Sequence, residues 1–209
     1  MSETAQALPK PQQLDRDEVG ARLRAVRKQQ KLTLKQLSDL SGVAVSTLSK
    51  MELAQVAVSY DKLAAAARAL QVDIAQLFRP LPPVGGLMGL KTFVKTRVDE
   101  TAGYDTGGYE YYPIAGDFPQ RSMTPLYARI FAREVGEFDD YVRHPGQEFA
   151  MVVSGRVRIQ FETGESVCIG LRETAYFDSS VGHLYLNDGD ADADEAQVMV
   201  VMSELRPAE

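Results

Sequence analysis

The sequence predicts an α+β protein of two domains, a bundle of five short helices followed by an antiparallel β sandwich or barrel. Up to Phe78 the apolar residues recur with a helical period, and from Leu90 onward they alternate with a period of two. Between the two regimes lies Arg79-Pro-Leu-Pro-Pro-Val-Gly-Gly-Leu-Met-Gly89, whose three prolines and three glycines cannot continue a helix. Charge divides at the same place. Residues 15–80 hold eleven Lys/Arg against seven Asp/Glu, whereas residues 91–209 hold eleven against twenty-one. The expected organisation is a flexible arm over 1–14, a helical domain over 15–79, a Pro/Gly linker over 80–90 and a β domain over 91–209.

Each element has its own signal. The first helix is expected from Asp15 to Gln30, with Leu14, Val19, Leu23 and Val26 inward and Asp15, Asp17 and Glu18 complementing the helix dipole. Leu34, Leu37 and Leu40 form a second stripe, and Thr33 is placed to cap it. Leu48 and Met51 form a third, with Gly42 and Val43 in the turn between. Two short helices meeting at a tight, glycine-containing turn are the helix-turn-helix pattern. The later helix shows Val45, Ser46, Ser49 and Lys50 on its outer face, a size and polarity suited to a DNA major groove. Ser59 is placed to cap a fourth helix with Leu63, Ala66, Ala67 and Leu70 inward, and Ile74, Leu77 and Phe78 belong to a short fifth.

Strands are expected at Phe93-Val94, Tyr109–Ile114, Pro125–Arg133, Glu148–Val153, Arg156–Phe161, Glu165–Ile169, Thr174–Asp178, His183–Asn187 and Gln197–Ser203. Turn residues at Ser154-Gly155, Thr163-Gly164 and Asn187-Asp-Gly189 separate them. The acidic run from Asp188 to Glu195 reads as an exposed hairpin loop.

Composition excludes several classes. The 209 residues carry a net charge of −6, no apolar run reaches transmembrane length, and residues 1–13 lack the apolar core of a signal peptide. The single cysteine, Cys168, rules out an intramolecular disulfide and fits a reducing cytoplasm. One Cys and two His cannot build a zinc finger. A basic module joined to an acidic one is expected where only the first meets phosphate.

The stretch from Val19 to Phe78 resembles the phage-repressor-like (XRE) helix-turn-helix family. The resemblance rests on Arg24, Val26, Arg27 and Lys28, on Leu32-Thr33, and on Thr47-Leu-Ser-Lys-Met-Glu52. It implies a five-helix repressor-like bundle that binds double-stranded DNA sequence-specifically, as a homodimer on a palindromic operator. It also implies a buried ion pair between Arg27 and Glu52. Val45, Ser46, Ser49 and Lys50 are then the expected base readers, with Lys35 and Thr47 on phosphates. Two positions depart from the family pattern: Ala44 replaces the usual Ser/Thr cap and Ala54 the usual Gly.

Both histidines of the chain lie in the β region, in two blocks. One is Gly136-x5-Val142-x-His144-x3-Glu148-x6-Gly155; the other is Tyr176-Phe-Asp-Ser-Ser-Val-Gly-His183-x3-Asn187. They resemble the paired motifs of the cupins, double-stranded β-helix barrels. Carried over, His144, Glu148 and His183 fall on ligand positions, while Val142 occupies that of a further His. Arg172 stands where Gly is usual, and Gly182 where Pro often precedes the His. Two imidazoles and a carboxylate are compatible with a divalent metal in the barrel, and Tyr112 is added as an aromatic candidate for ligand contact. The combination resembles transcription regulators with a cupin sensor, which implies a cytoplasmic, non-enzymatic protein whose small-molecule effector tunes operator affinity. The rivals are a metal-dependent cupin oxygenase or isomerase bearing a DNA-binding domain, and a cupin that only dimerises. The sequence names neither effector nor operator.

Overall fold

The computed structural model describes residues 16–56, 59–72, 74–78, 92–118, 121–190 and 192–203. The expected arm, Leu14, Asp15 and the Pro/Gly linker lie outside the described residues. Among the described residues five α-helices come first: α1 Arg16–Gln29, α2 Leu34–Ser41, α3 Val45–Glu52, α4 Tyr60–Ala69 and α5 Ala75–Phe78. Asp17 and Glu18 sit in the first turn of α1, and Val19 and Leu23 are buried beneath it. Helix α2 starts with a reciprocal cap. The Thr33 hydroxyl accepts from Gln36 N–H at 3.1 Å, and the Gln36 side-chain oxygen accepts from Thr33 N–H at 2.9 Å. It stops at Gly42, whose φ of +74° lies in the left-handed region and whose N–H closes onto the Ser38 carbonyl.

The apolar stripe of α2 is narrower than the sequence suggests. Leu37 is fully buried and Leu34 half-buried, but Leu40 is 62% exposed. At 3.6 residues per turn, Leu34 and Leu40 lie about 60° to either side of Leu37. Only the Leu34 side is covered. The close crossing in the bundle is made by Gly20 of α1, where a Cβ would lie 2.5 Å from the Met51 carbonyl oxygen. Two helix backbones in contact there bring α1 and α3 into register for their side chains.

Nine strands follow among the described residues: β1 Tyr104–Asp105, β2 Tyr109–Pro113, β3 Met123–Ile130, β4 Gln147–Ser154, β5 Arg156–Phe161, β6 Ser166–Gly170, β7 Thr174–Asp178, β8 His183–Asn187 and β9 Ala196–Ser203. They form a six-stranded sheet in the order β1-β2-β3-β9-β4-β7 and a three-stranded sheet in the order β6-β5-β8, with antiparallel pairing throughout. Alternation decides which side chains enter the core. In β9, Ala196, Val198, Val200 and Met202 are buried while the residues between them are half-buried.

Two strand-region expectations are corrected. Phe93-Val94 is not a strand; residues 92–97 carry no regular structure and Phe93 is 79% exposed. The edge of the large sheet is β1, which pairs Tyr104 with Tyr111 and leaves the Phe93 segment without a ladder. The acidic run after Asn187 is not a hairpin, because β8 lies in the small sheet and β9 in the large one. It is a crossing between sheets, held by Arg133, which donates to the carbonyls of Gly189 at 3.1 Å, Asp190 at 2.9 Å and Ala193 at 2.6 Å. Glu195 closes the segment by pairing with Arg129.

The helical bundle rests on the barrel. Tyr60 at the start of α4 packs against Tyr111 of β2 at 5.3 Å between ring centroids, and Phe78 of α5 against Tyr104 of β1 at 5.5 Å. Arg16 pairs with Asp105 at 3.1 Å. One apolar cluster therefore runs from α1 through to β9. No described helix is long and apolar enough to cross a membrane.

Candidate functional site

The helix-turn-helix face is built around an ion pair. Arg27 Nε lies 2.5 Å from Glu52 Oε1, and its Nη2 lies 2.7 Å from Oε2, a two-pronged contact with both side chains buried. The remaining guanidinium nitrogen donates to the Leu32 carbonyl at 2.7 Å. This ties α1 to the end of α3 and to the turn before α2, so α3 is fixed by its buried side. Its other side carries Val45, Ser46 and Lys50, all exposed, with Thr47 and Ser49 half-buried beside them. Lys35, at the start of α2, is exposed and contacts Asp39 at 2.5 Å. These six residues, expected from the sequence as DNA contacts, lie on α2 and α3 and remain accessible with the barrel in place.

The second cluster lies inside the barrel. Glu148 points inward from β4, His183 from the start of β8, and His144 from the segment before β4; all three are buried. His144 Nε2 lies 2.8 Å from Glu148 Oε2 and His183 Nε2 lies 3.6 Å from the same oxygen. His183 Nδ1 is 2.9 Å from the Val181 carbonyl. A carbonyl only accepts, so Nδ1 carries the proton; Nε2 faces Glu148, towards which it points an N–H when the imidazole is charged and a lone pair when it is neutral. Tyr185 donates to Glu148 Oε1 at 2.5 Å. Burial alone would raise the Glu148 carboxyl, but hydrogen bonds from His144 and His183 and their positive charge outweigh it and bring it down to about 2. Burial lowers His183, yet the bond to Glu148 and its charge prevail and hold the imidazole above its ordinary value. The Tyr185 phenol is pushed well up by burial and by the Glu148 charge, so it stays a neutral donor.

Val142 borders the same cavity and exchanges two backbone hydrogen bonds with His183. It brings an apolar wall to the position where the cupin resemblance expects another imidazole. Tyr112 does not join the group. Along β2, side chains alternate, and Tyr109 and Tyr111 line the cavity while Tyr112 turns to the opposite face and donates to Glu110 at 2.5 Å. Sequence reading missed Tyr109, Tyr111 and Tyr185. The period-two spacing from His183 to Tyr185 was an available signal for the last.

Three potential ligand atoms, one from each of His144, Glu148 and His183, lie within 4.8 Å of one another. The space among them and the tyrosines is about 30 Å³. Two imidazole nitrogens and a carboxylate fit a divalent transition metal by donor type, and the space accepts an ion.

A helix-turn-helix bundle docked on a barrel with an inward His-Glu-His cluster defines a two-domain architecture in which one half suits DNA and the other a buried ligand or ion. Comparison with known families agrees with both halves: residues 23–77 match the helix-turn-helix family HTH_3 and residues 130–201 match the cupin domain family. The chain thus carries one helix-turn-helix domain of the HTH_3 family and one cupin domain. Among solved structures, an HTH_3 family transcriptional regulator from Vibrio cholerae has the same fold at 16% identity. The match covers 91% of this chain and 97% of that one, with a TM-score of 0.61. Hydroxypropylphosphonic acid epoxidase from S. wedmorenis aligns at 19% identity over 89% of this chain and 97% of that one, with a TM-score of 0.46. No curated protein matches the chain at a significant level.

Proposed function

We propose that this protein is a sequence-specific DNA-binding transcription regulator, acting as a homodimer on a palindromic operator. In this reading its cupin domain, residues 91–209, binds a small-molecule effector that alters the operator affinity of residues 15–79, and it performs no catalysis. The observation that carries the reading is the face of α3. Val45, Ser46 and Lys50 are exposed on a helix whose other side is fixed by the buried Arg27–Glu52 pair. A rigid helix with short polar and basic side chains outward is what a major groove accepts. Val45 suits a thymine methyl, Ser46 and Ser49 either type of base, and Lys50 a guanine; Lys35 and Thr47 serve phosphates.

The test is a titration of the DNA upstream of the protein's own gene at several salt concentrations, with wild type, Lys50→Ala and Lys35→Ala. Binding that displaces counterions weakens steeply as salt rises. Lys50→Ala is expected to lose discrimination at one base pair per half-site, about 1–3 kcal/mol, whereas Lys35→Ala weakens all sequences alike. A flat salt response, or identical preference profiles for the two variants, would refute the assignment.

The His144, Glu148 and His183 cluster favours a second reading, a metal-dependent cupin enzyme with a DNA-binding domain. These residues would hold the ion, which when bound supplies Lewis acidity to the cavity. The chain's own groups then orient it: Tyr185 fixes the second Glu148 oxygen, and the Val181 carbonyl fixes the His183 tautomer. Elemental analysis of protein purified without chelator decides. One equivalent of metal per chain, lost in His183→Ala and accompanied by turnover, would replace the regulator reading with the enzyme.

A further inference from the structure

The interior space beside His144, Glu148 and His183, about 30 Å³, is too small for an organic effector; pockets for such ligands ordinarily run to roughly 300–1,000 Å³. A cleft of about 420 Å³ opens elsewhere, at the rim of the barrel, between the two domains. Its floor on one side is α4, with Asp61, Ala64 and Arg68; on the other side stand Arg121, Thr124 and His144. His144 borders both spaces, so the cleft shares a wall with the buried cluster.

We propose that this cleft, rather than the barrel interior, is the effector site, and that its ligand is a small amino carboxylate lying along α4. The proposal rests on the regulator reading above and gives it a location and a ligand class. Asp61, Ala64 and Arg68 follow one another at spacings of three and four, which places them on one face of the helix. With a rise of 1.5 Å per residue, the acidic and basic positions are about 10 Å apart. Ala64 between them is small and leaves the floor open. Asp61 lines this cleft, and its carboxylate is the charge partner for a ligand ammonium. At the other end the exposed Arg68 presents a planar guanidinium, which holds a carboxylate by two parallel hydrogen bonds. Val72, Ile74, Pro145 and Met202 line the cleft as well and suit the methylene chain between the two charges.

The location explains how occupancy would reach the DNA. A ligand in this cleft touches α4 of the helical bundle and the barrel rim at once. Its binding free energy therefore differs between docked and undocked arrangements of the two domains, which is the requirement for coupling.

The experiment is thermal melting and calorimetric titration of the full chain with 4-aminobutyrate, 5-aminopentanoate and 6-aminohexanoate. Dicarboxylates and diamines of the same lengths serve as controls. An amino carboxylate is expected to raise the melting temperature, and Arg68→Ala to weaken it by about tenfold or more, the usual weight of a charge-assisted pair. Ala64→Trp, which fills the cleft, is expected to abolish binding; Arg68→Ala, at an exposed position, stands in should the tryptophan variant not fold. Equal binding of diamines or dicarboxylates, or no melting shift from any amino carboxylate, overturns the ligand class. Binding unchanged in both variants overturns the site. Operator binding by ligand-free wild type is measured alongside, so that failure of the regulator reading shows as absent DNA binding, independently of the cleft titration.

Discussion

At the scale of single residues, two of the five non-glycine positions at positive φ among the described residues are open to a simple test. Ala54 follows α3 with φ +53°, and Arg172 lies in the turn between β6 and β7 with φ +65°. Both are in the left-handed region, which costs an L-residue roughly 1–2 kcal/mol. Both are also positions where the family resemblances lead one to expect Gly. Ala54→Gly and Arg172→Gly are therefore expected to raise stability. The gain is trimmed by the entropy that Gly adds to the unfolded chain, roughly 0.4–1 kcal/mol, which leaves a net gain of up to about 1.5 kcal/mol each. Thermal unfolding of the full chain checks this, and a lowered melting temperature in both variants would mean that side-chain contacts at these sites outweigh the strain.

At the scale of elements, the crossing of α1 and α3 is where backbone and charge work together. Gly20 lets the helices touch, and that contact holds Arg27 and Glu52 at two-pronged distance. Glu52→Ala leaves a buried guanidinium with only the Leu32 carbonyl, and removing one partner of such a pair costs about 3–5 kcal/mol. The double change Arg27→Met with Glu52→Leu removes both charges and is expected to recover most of the loss. A melting shift of a degree or two for Glu52→Ala, or a double variant as unstable as the single one, would show that the pair does not hold the bundle. The ion pair was legible in the sequence because family resemblance fixed both positions. Arg156–Phe161 and Thr174–Asp178 were legible from alternation alone. Phe93-Val94 and the acidic run misled for one shared reason: strand pairing is non-local, and alternation cannot say which sheet, if any, receives a segment. Tyr112 misled differently, since a run of aromatics in β2 does not reveal which of its two faces turns inward. The Gly20 contact and the cleft along α4 depend on elements distant in sequence, so neither had a local signal.

At the scale of the whole molecule, the Pro/Gly stretch suggested two independent domains, yet the bundle and barrel share one apolar cluster. Tyr104 and Tyr111 of the barrel meet Phe78 and Tyr60 of the bundle, and Tyr60 and Phe78 also stack on each other at 6.5 Å. Each aromatic pair contributes about 0.5–1.5 kcal/mol beyond the area it buries. A helical module of this size buries a smaller fraction of its surface than a larger domain does and is marginal alone, so docking onto the barrel is expected to stabilise it. Calorimetry of the full chain should then show one cooperative transition. Tyr104→Ala removes the ring that Phe78 packs against without touching the Arg27–Glu52 pair or the His144, Glu148 and His183 cluster. It is expected to split the transition, with the helices melting first and the barrel close to its original temperature. Two well-separated transitions already in the wild type would mean that docking contributes little. In that case a ligand in the cleft would have no docked state to favour, and the coupling proposed for α4 would lose its physical basis.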